Sequence, residues 1–312
     1  MKTFLSAIQG FKRHLLTILV LLMAATQTFA QQWGRSGAVA DPFESQYFTN
    51  RYLGNPAMAG LDSALRLNAA YRKQFSGIPG APVTQAYSAD YNPGKRVGLG
   101  LIAYNSKAGL INRSQLALTY AYHLPVGQWG QQLHFGLSGV FSHADLDTKN
   151  IVGDETDPAI AEFNGRKNAL ELDYGMAYTD DHITLQGSLS NLVSYFKHIQ
   201  NTTADVATFY AAAAYKFTFD GAVNAIEPQV SLRGVKQYNS IVDVGANITM
   251  FHHILNVFGL FHSVGSFSAG VGLNYKDDIF IQGAYLSQTS GLRNYTDGNY
   301  EINVGIILFK RK

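Results

Sequence analysis

Residues 115–124 read Gln-Leu-Ala-Leu-Thr-Tyr-Ala-Tyr-His-Leu, and the order of side chains in that stretch decides the fold. Leu116, Leu118, Tyr120, Tyr122 and Leu124 occupy one parity, while Gln115, Ala117, Thr119, Ala121 and His123 occupy the other. Successive side chains of a β-strand point to opposite faces, so a period of two means one apolar face and one small or polar face. The pattern returns with Leu170, Leu172, Tyr174, Met176 and Tyr178 against Ala169, Glu171, Asp173, Gly175 and Ala177. It returns again with Phe209, Ala211, Ala213, Tyr215, Phe217 and Phe219 against Ala212, Ala214, Lys216 and Thr218, and with Phe267, Ala269, Val271, Leu273 and Tyr275 against Ser268, Gly270, Gly272 and Asn274. Residues 244–275 contain no Asp, Glu, Lys or Arg, yet glycines and asparagines interrupt them too densely for a helix in lipid.

Extended along the chain, this reading predicts about fourteen strands of about ten residues, the length a tilted strand needs to cross a bilayer. The spans are 64–75, 81–91, 97–106, 113–124, 131–143, 168–178, 182–190, 208–219, 227–238, 240–250, 253–262, 266–275, 278–287 and 300–309. Short connections at 179–181, 251–252 and 276–277 alternate with long ones at 144–167, 191–207 and 288–299. That asymmetry predicts an all-β fold: a transmembrane antiparallel outer-membrane barrel with both chain ends at its periplasmic side. A soluble sandwich would have shorter strands and a charged outer face. Here the polar face is mostly Gly, Ala, Ser, Thr and Asn, which suits a crowded lumen, and Phe309 supplies an aromatic close to the carboxyl end.

Charged residues make up only 15% of the 312, where about 25% is usual, and the mean hydropathy is −0.04. With no cysteine, disulfide frameworks, zinc-thiolate sites, thiol nucleophiles and a lipidated cysteine are all excluded. Lys2, Lys12 and Arg13 precede an apolar run over 15–25, and Thr28-Phe29-Ala30 places small residues where a signal peptidase reads. The run is far short of the ~20 residues a spanning helix needs, so residues 1–30 are expected to be a cleaved export signal. The expected organisation is then that leader, a periplasmic or barrel-mouth lead-in over 31–63, and a barrel over 64–312. Without the leader's three cations, 21 basic side chains face 22 acidic ones, a net of −1, and nucleic-acid binding loses its electrostatic basis.

Several side-chain groups invite a chemical reading. Residues 98–103 fit a dinucleotide-binding G-x-G-x-x-A, but that mechanism needs a following helix, and here the glycines sit inside an alternating strand. His143, Asp145, Asp147, Asp154, Glu155 and Asp157 make an acidic long loop without the spacing of a calcium site, so no metal is expected. His134 and Ser138 share a face, yet no acidic partner marks them as a hydrolase pair. His252-His253 falls in a short turn and reads as interfacial. The lumenal parity gathers Arg66, Arg72, Lys216 and Arg233 beside Asp90, Glu171 and Asp173, a mixture that predicts internal ion pairs rather than a single-sign pore.

Specificity rises before the first strand. Ser45-Gln46-Tyr47-Phe48, Asn55-Pro56-Ala57-Met58-Ala59-Gly60, Tyr71-Arg72, Gln74-Phe75 and Gly77-Ile78-Pro79-Gly80-Ala81-Pro82 together resemble the opening of the PorP/SprF family of type IX secretion proteins. Tyr104-Asn105, Leu124-Pro125, Asp157-Pro158-Ala159, Asn191-Leu192 and Gly298-Asn299-Tyr300-Glu301 continue the resemblance toward the carboxyl end. Glu44 and Asn50-Arg51 depart from it, standing where the family usually has an aromatic and Asn-Pro. The resemblance implies a non-enzymatic outer-membrane protein without cofactor, in contact with outer-membrane lipid and with type IX components or one large, adhesin-like secreted protein. The alternative kept open is a channel or hydrophobic-solute transporter, which other fourteen-stranded barrels provide.

Overall fold

The computed structural model describes residues 44–61, 64–94, 96–127, 130–147, 168–196, 208–235, 240–288 and 297–309. The strands are β1 (Leu65–Lys73), β2 (Val83–Tyr91), β3 (Val97–Ala108), β4 (Ile111–Pro125), β5 (Gln132–Leu146), β6 (Asn168–Thr179) and β7 (Ile183–Ser190). A short helix α1 (Leu192–Phe196) follows, then β8 (Thr208–Tyr215), β9 (Phe217–Thr218), β10 (Val223–Val235), β11 (Ile241–Met250), β12 (Leu255–His262), β13 (Ser266–Tyr275), β14 (Ile279–Leu286) and β15 (Asn299–Leu308). The two-residue β9 continues β8 past Lys216, and both pair with β10, so fifteen elements make fourteen crossings of one antiparallel sheet. Pairing of β1 with β15, from Leu65 opposite Leu308 to Lys73 opposite Tyr300, and of β10 with β11 closes that sheet into a barrel. Closure gives every described strand except the two-residue β9 a neighbour on both sides, where an open sheet edge in hydrocarbon would cost several kcal/mol per unsatisfied backbone group. Among the described residues no helix is long and apolar enough to cross a membrane.

The alternation separates the two faces of the wall. On β4, Leu118 and Tyr120 are 64% and 54% exposed, whereas Thr119 and Ala121 are 5% and 0% exposed. Outward aromatics gather at the two rims: Tyr91, Tyr122, Tyr215, Phe217, Phe251, Tyr275 and Phe309 at the short-turn end, and Tyr71, Phe141, Phe261, Phe267, Tyr285 and Tyr300 at the other. These are the interfacial girdles of a membrane barrel. Tight hairpins form the short-turn rim. Phe251, His252 and His253 have φ of 55°, 58° and 67°, and Lys276 and Asp277 of 54° and 57°, the left-handed twist that joins antiparallel strands directly. At 180–182 the backbone N–H groups of Ile183 and His182 donate to Asp180 and hold its carboxyl below the ordinary carboxylate range.

Two expectations need correction. β10 starts at Val223, four residues before the expected 227, because Ile226 and Ala225 pair with Phe217 and Thr218 beyond the break in β8. Lys216 is exposed at that break and makes no ion pair with a described residue, so it does not brace the lumen. The expected leader, and residues 148–167, 197–207 and 289–296 of the long connections, lie outside the described residues.

The buried core of the molecule is inside the barrel. Residues 44–61 form three short 3-10 turns, Glu44–Gln46, Arg51–Leu53 and Pro56–Met58, whose side chains reach strands around the whole lumen. Gly60 lies against Tyr91 and Gly98 at the short-turn end, while Ser45 lies beside Glu301, near the loop-side start of β15. The lead-in therefore runs along the barrel axis before the chain enters β1.

Leu118→Arg, on the outer face of β4, is expected to destabilise the barrel in lipid vesicles by about 2–4 kcal/mol, whereas Val126→Arg, beyond the strand end, costs about 0–1 kcal/mol. Denaturant unfolding in bilayers measures both.

Candidate functional site: the lumenal seat of residues 44–61

The carboxyl half of the lead-in is set by backbone chemistry. Asn55 accepts from the Ala57 N–H at 3.0 Å and Pro56 opens the next turn with its φ already fixed, so the Asn-Pro pair starts a 3-10 turn without outside help. Asn55 Nδ2 then donates to the Met176 carbonyl at 3.2 Å. The wall receives this turn on glycines. A Cβ at Gly136 or Gly175 would collide with Pro56 and Ala57, one at Gly98 with the Ala59 carbonyl, and one at Gly100 with the Tyr52 ring. Glycines on β3, β5 and β6 thus open a groove in which Asn55, Ala57 and Ala59 are fully buried. Gly98 and Gly100 belong to this groove, which explains the spacing that mimics a nucleotide-binding loop.

The amino half is held instead by side chains. Ser45 Oγ donates to Glu301 Oε1, and Gln46 Nε2 donates to the same oxygen at 3.1 Å. The other oxygen of Glu301 receives Arg72 Nε at 2.9 Å. Thr49 Oγ1 donates to Gln282 Oε1 at 3.2 Å, and Gln282 Nε2 returns to the Ser45 carbonyl at 3.2 Å. Arg51 pairs with Glu227, and Tyr52 Oη donates to Thr119 Oγ1 at 2.7 Å. Tyr47 packs its ring on Tyr210 at 5.1 Å and aims its hydroxyl at Asp243 Oδ2, 3.4 Å away.

Asp243 centres a second network. It receives Arg233 Nε at 2.9 Å and His262 Nδ1 at 2.6 Å, while His262 Nε2 meets Ser268 Oγ at 2.8 Å. Ser268, His262 and Asp243 thus have the connectivity of a hydrolytic triad, but Ser268 is 1% exposed and Asp243 is already neutralised by Arg233. A nucleophile must meet substrate, so the arrangement braces the wall. His134 and Ser138 do not bond each other. His123 Nε2 meets the Ala59 carbonyl at 3.1 Å, and a carbonyl can only accept, so Nε2 carries a proton. With both rings neutral, His123 Nδ1 accepts from His134 Nδ1 at 2.8 Å and His134 Nε2 accepts from Thr179 Oγ1 at 2.8 Å. Ser138 pairs with Thr119 at 2.7 Å.

The residues singled out from sequence fall into three places. Ser45, Gln46, Tyr47, Asn55, Pro56 and Gly60 are inside the lumen, with the Gly60 N–H on Asp90 Oδ2 at 2.9 Å, and Arg72 joins them through Glu301. Gly77, Pro79, Gly80 and Pro82 form the β1–β2 loop at the opposite rim. There Gly77 and Gly80 adopt φ of 95° and 70°, which only glycine takes readily, and the Pro82 carbonyl accepts from Gln74 N–H at 2.9 Å. Tyr71 faces outward, 43% exposed. Glu171 and Asp173, expected in lumenal ion pairs, instead accept from Ser194 and from the Asn191 N–H, and so tether α1. Asp154, Glu155 and Asp157 lie outside the described residues, and no group of three possible metal ligands occurs among those described. Sequence reasoning missed Asp243, Glu227 and His262. For Asp243 the signal is rarity: it immediately precedes a 32-residue stretch, 244–275, that has no Asp, Glu, Lys or Arg.

A closed fourteen-strand antiparallel barrel with a lipid-facing wall and aromatic rims is an integral outer-membrane protein. Residues 36–306 match the family described as type IX secretion system membrane protein PorP/SprF, and the chain belongs to that family. No curated protein matches the sequence. Among solved structures, the Acinetobacter baumannii outer membrane protein Omp33 aligns at 8% identity and a TM-score of 0.46, covering 80% of this chain and 99% of that one. The CymD monoaromatic hydrocarbon channel aligns at 12% identity and 0.47, covering 88% and 95%. The TodX deltaS2S3 mutant monoaromatic hydrocarbon channel aligns at 10% and 0.45, covering 83% and 93%. Likenesses this loose carry no functional inference.

Arg72→Ala leaves Glu301 as a buried carboxylate without its cation and is expected to cost about 3–5 kcal/mol, while Arg72→Ala combined with Glu301→Gln costs less than Arg72→Ala alone. A double-mutant cycle in bilayer unfolding reads the difference.

Proposed function

We propose that this chain is a non-enzymatic outer-membrane component or partner of the type IX secretion system that aids export or surface attachment of one large, adhesin-like secreted protein. Family membership sets the system, and the occupied lumen carries the choice of role. A general diffusion channel keeps a water-filled lumen with a selective lining. Here residues 44–61 cross the lumen and bond to strands on all sides of it, which favours a scaffold over a conduit. In this reading residues 1–30 are the export signal, the short-turn rim faces the periplasm, and the β1–β2 loop, α1 and the longer connections face the client. Residues 45–47, 55–60, 71–72 and 77–82 act as the frame that orders the lumen and one rim, rather than as chemical groups.

Comparing the surface proteome of cells with and without this chain tests the proposal. Loss of one large surface protein is the expected result, and an unchanged surface defeats it. In planar bilayers the purified protein is expected to be electrically silent, and steady conductance would favour the transporter reading.

A further inference from the structure

The two halves of the lead-in are held by different physics. From Asn55 to Gly60 the chain is seated by its backbone and by small side chains on wall glycines, and no buried side-chain polar atom of 52–60 lacks a partner among the described residues. From Ser45 to Arg51, apart from the Ser45 carbonyl that accepts from Gln282, the contacts are side chain by side chain. Hydroxyl and carboxamide groups meet Glu301 and Gln282, an aromatic enters the cluster of Tyr210, Ala212, Phe258 and Leu260, and a guanidinium meets Glu227. Phe48 packs against Phe258 with tilted rings, centroids 6.2 Å apart. One subsite per side chain is how a protein reads a peptide sequence.

The polar complement of this amino half is also incomplete. Gln46 Oε1, Gln186 Oε1, Gln229 Oε1 and both amide atoms of Asn303 are buried without a partner. Gln46 belongs to the amino half, and the other three residues border it. Asn303 stands directly across from Gln282 and two residues from Glu301. Gln186 and Gln229 both donate to the Tyr210 hydroxyl, at 3.4 and 3.5 Å, on the ring that stacks against Tyr47. Buried polar atoms of this kind are costly, and a better-matched occupant would satisfy them.

We propose that the lumen holds a peptide-recognition site, formed by Glu301, Gln282, Asp243, Tyr210, Phe258 and Glu227, which the chain's own residues 45–51 occupy in cis. Its ligand class is a polypeptide segment with hydroxyl or carboxamide residues, then aromatics, then a cation four residues beyond the first aromatic, the order of Ser45, Gln46, Tyr47, Phe48 and Arg51. Such a segment from another protein competes with the cis segment, so the lead-in is an internal competitor as well as a filler. The inference stands apart from the secretion role proposed above, and its test reads binding to the barrel rather than the content of the cell surface.

The test uses the full chain carrying Tyr47→Ala, Phe48→Ala and Arg51→Ala, which weakens the cis occupant and leaves the seat intact. A fluorescent peptide of residues 44–53 is titrated against it in detergent, with anisotropy as the readout and heat-modifiable gel mobility as the check on folding. The triple variant is expected to bind this peptide at least about tenfold more tightly than the unaltered protein does, and a peptide carrying the same three substitutions is expected to lose about tenfold or more. Should the triple variant not assemble, Arg51→Ala alone supplies the weakened occupant and the same comparison. A folded variant that ignores the peptide, that takes both peptides equally, or that binds no better than the unaltered protein overturns the proposal.

Discussion

Inside hydrocarbon every backbone N–H and C=O must find a partner within the protein, and the rest of this structure depends on that constraint. It turns a row of alternating segments into a closed ring, since the ends of any open sheet would be left unpaired. The β1–β15 ladder supplies the closure and sets both described ends of the barrel at the short-turn rim. Once the ring exists, its wall has two solvents: lipid on one side, and on the other a space that water or protein must fill.

Here residues 44–61 occupy part of it. The lumenal parity of the wall carries glycines where Pro56, Ala57 and Ala59 pass, and Gln282, Glu301, Asp243 and Glu227 where the side chains of residues 45–51 reach it. Glu301 shows how economical the arrangement is. One carboxylate collects Ser45 and Gln46 from the lead-in and Arg72 from β1, while Asn299, two residues earlier, accepts the Phe75 N–H from the loop beyond. Segments scattered along the chain, at 45–46, 72–75 and 299–301, are thus one structural unit. The Asp243 centre does similar work with Arg233, His262 and Tyr47. Its resemblance to a catalytic triad is a warning that connectivity without access is not a mechanism.

Much of this was legible beforehand, for a physical reason. Alternation such as that of 115–124 is a local property, because a strand's two faces are set by backbone geometry alone. Mixed lumenal charge was legible too, but its pairing was not. Glu171 and Asp173 turned from lumenal braces into tethers for α1, Lys216 fell at a break in its strand, and Arg233 found Asp243 rather than either of them. Which strands face each other across a lumen is set by barrel closure and register, quantities to which no local window has access.

Sequence alone determined that this chain is a membrane β-barrel with about fourteen crossings, which parity faces lipid, and which glycine- and proline-rich segments set it apart, because each is encoded within a few consecutive residues. Only the tertiary structure decided that residues 44–61 run along the inside of the barrel, that Gly98, Gly100, Gly136 and Gly175 exist to make room for them, and that Ser45 and Arg72 share Glu301. The Glu301 contacts join residues more than two hundred positions apart, and they form only when the last strand closes on the first.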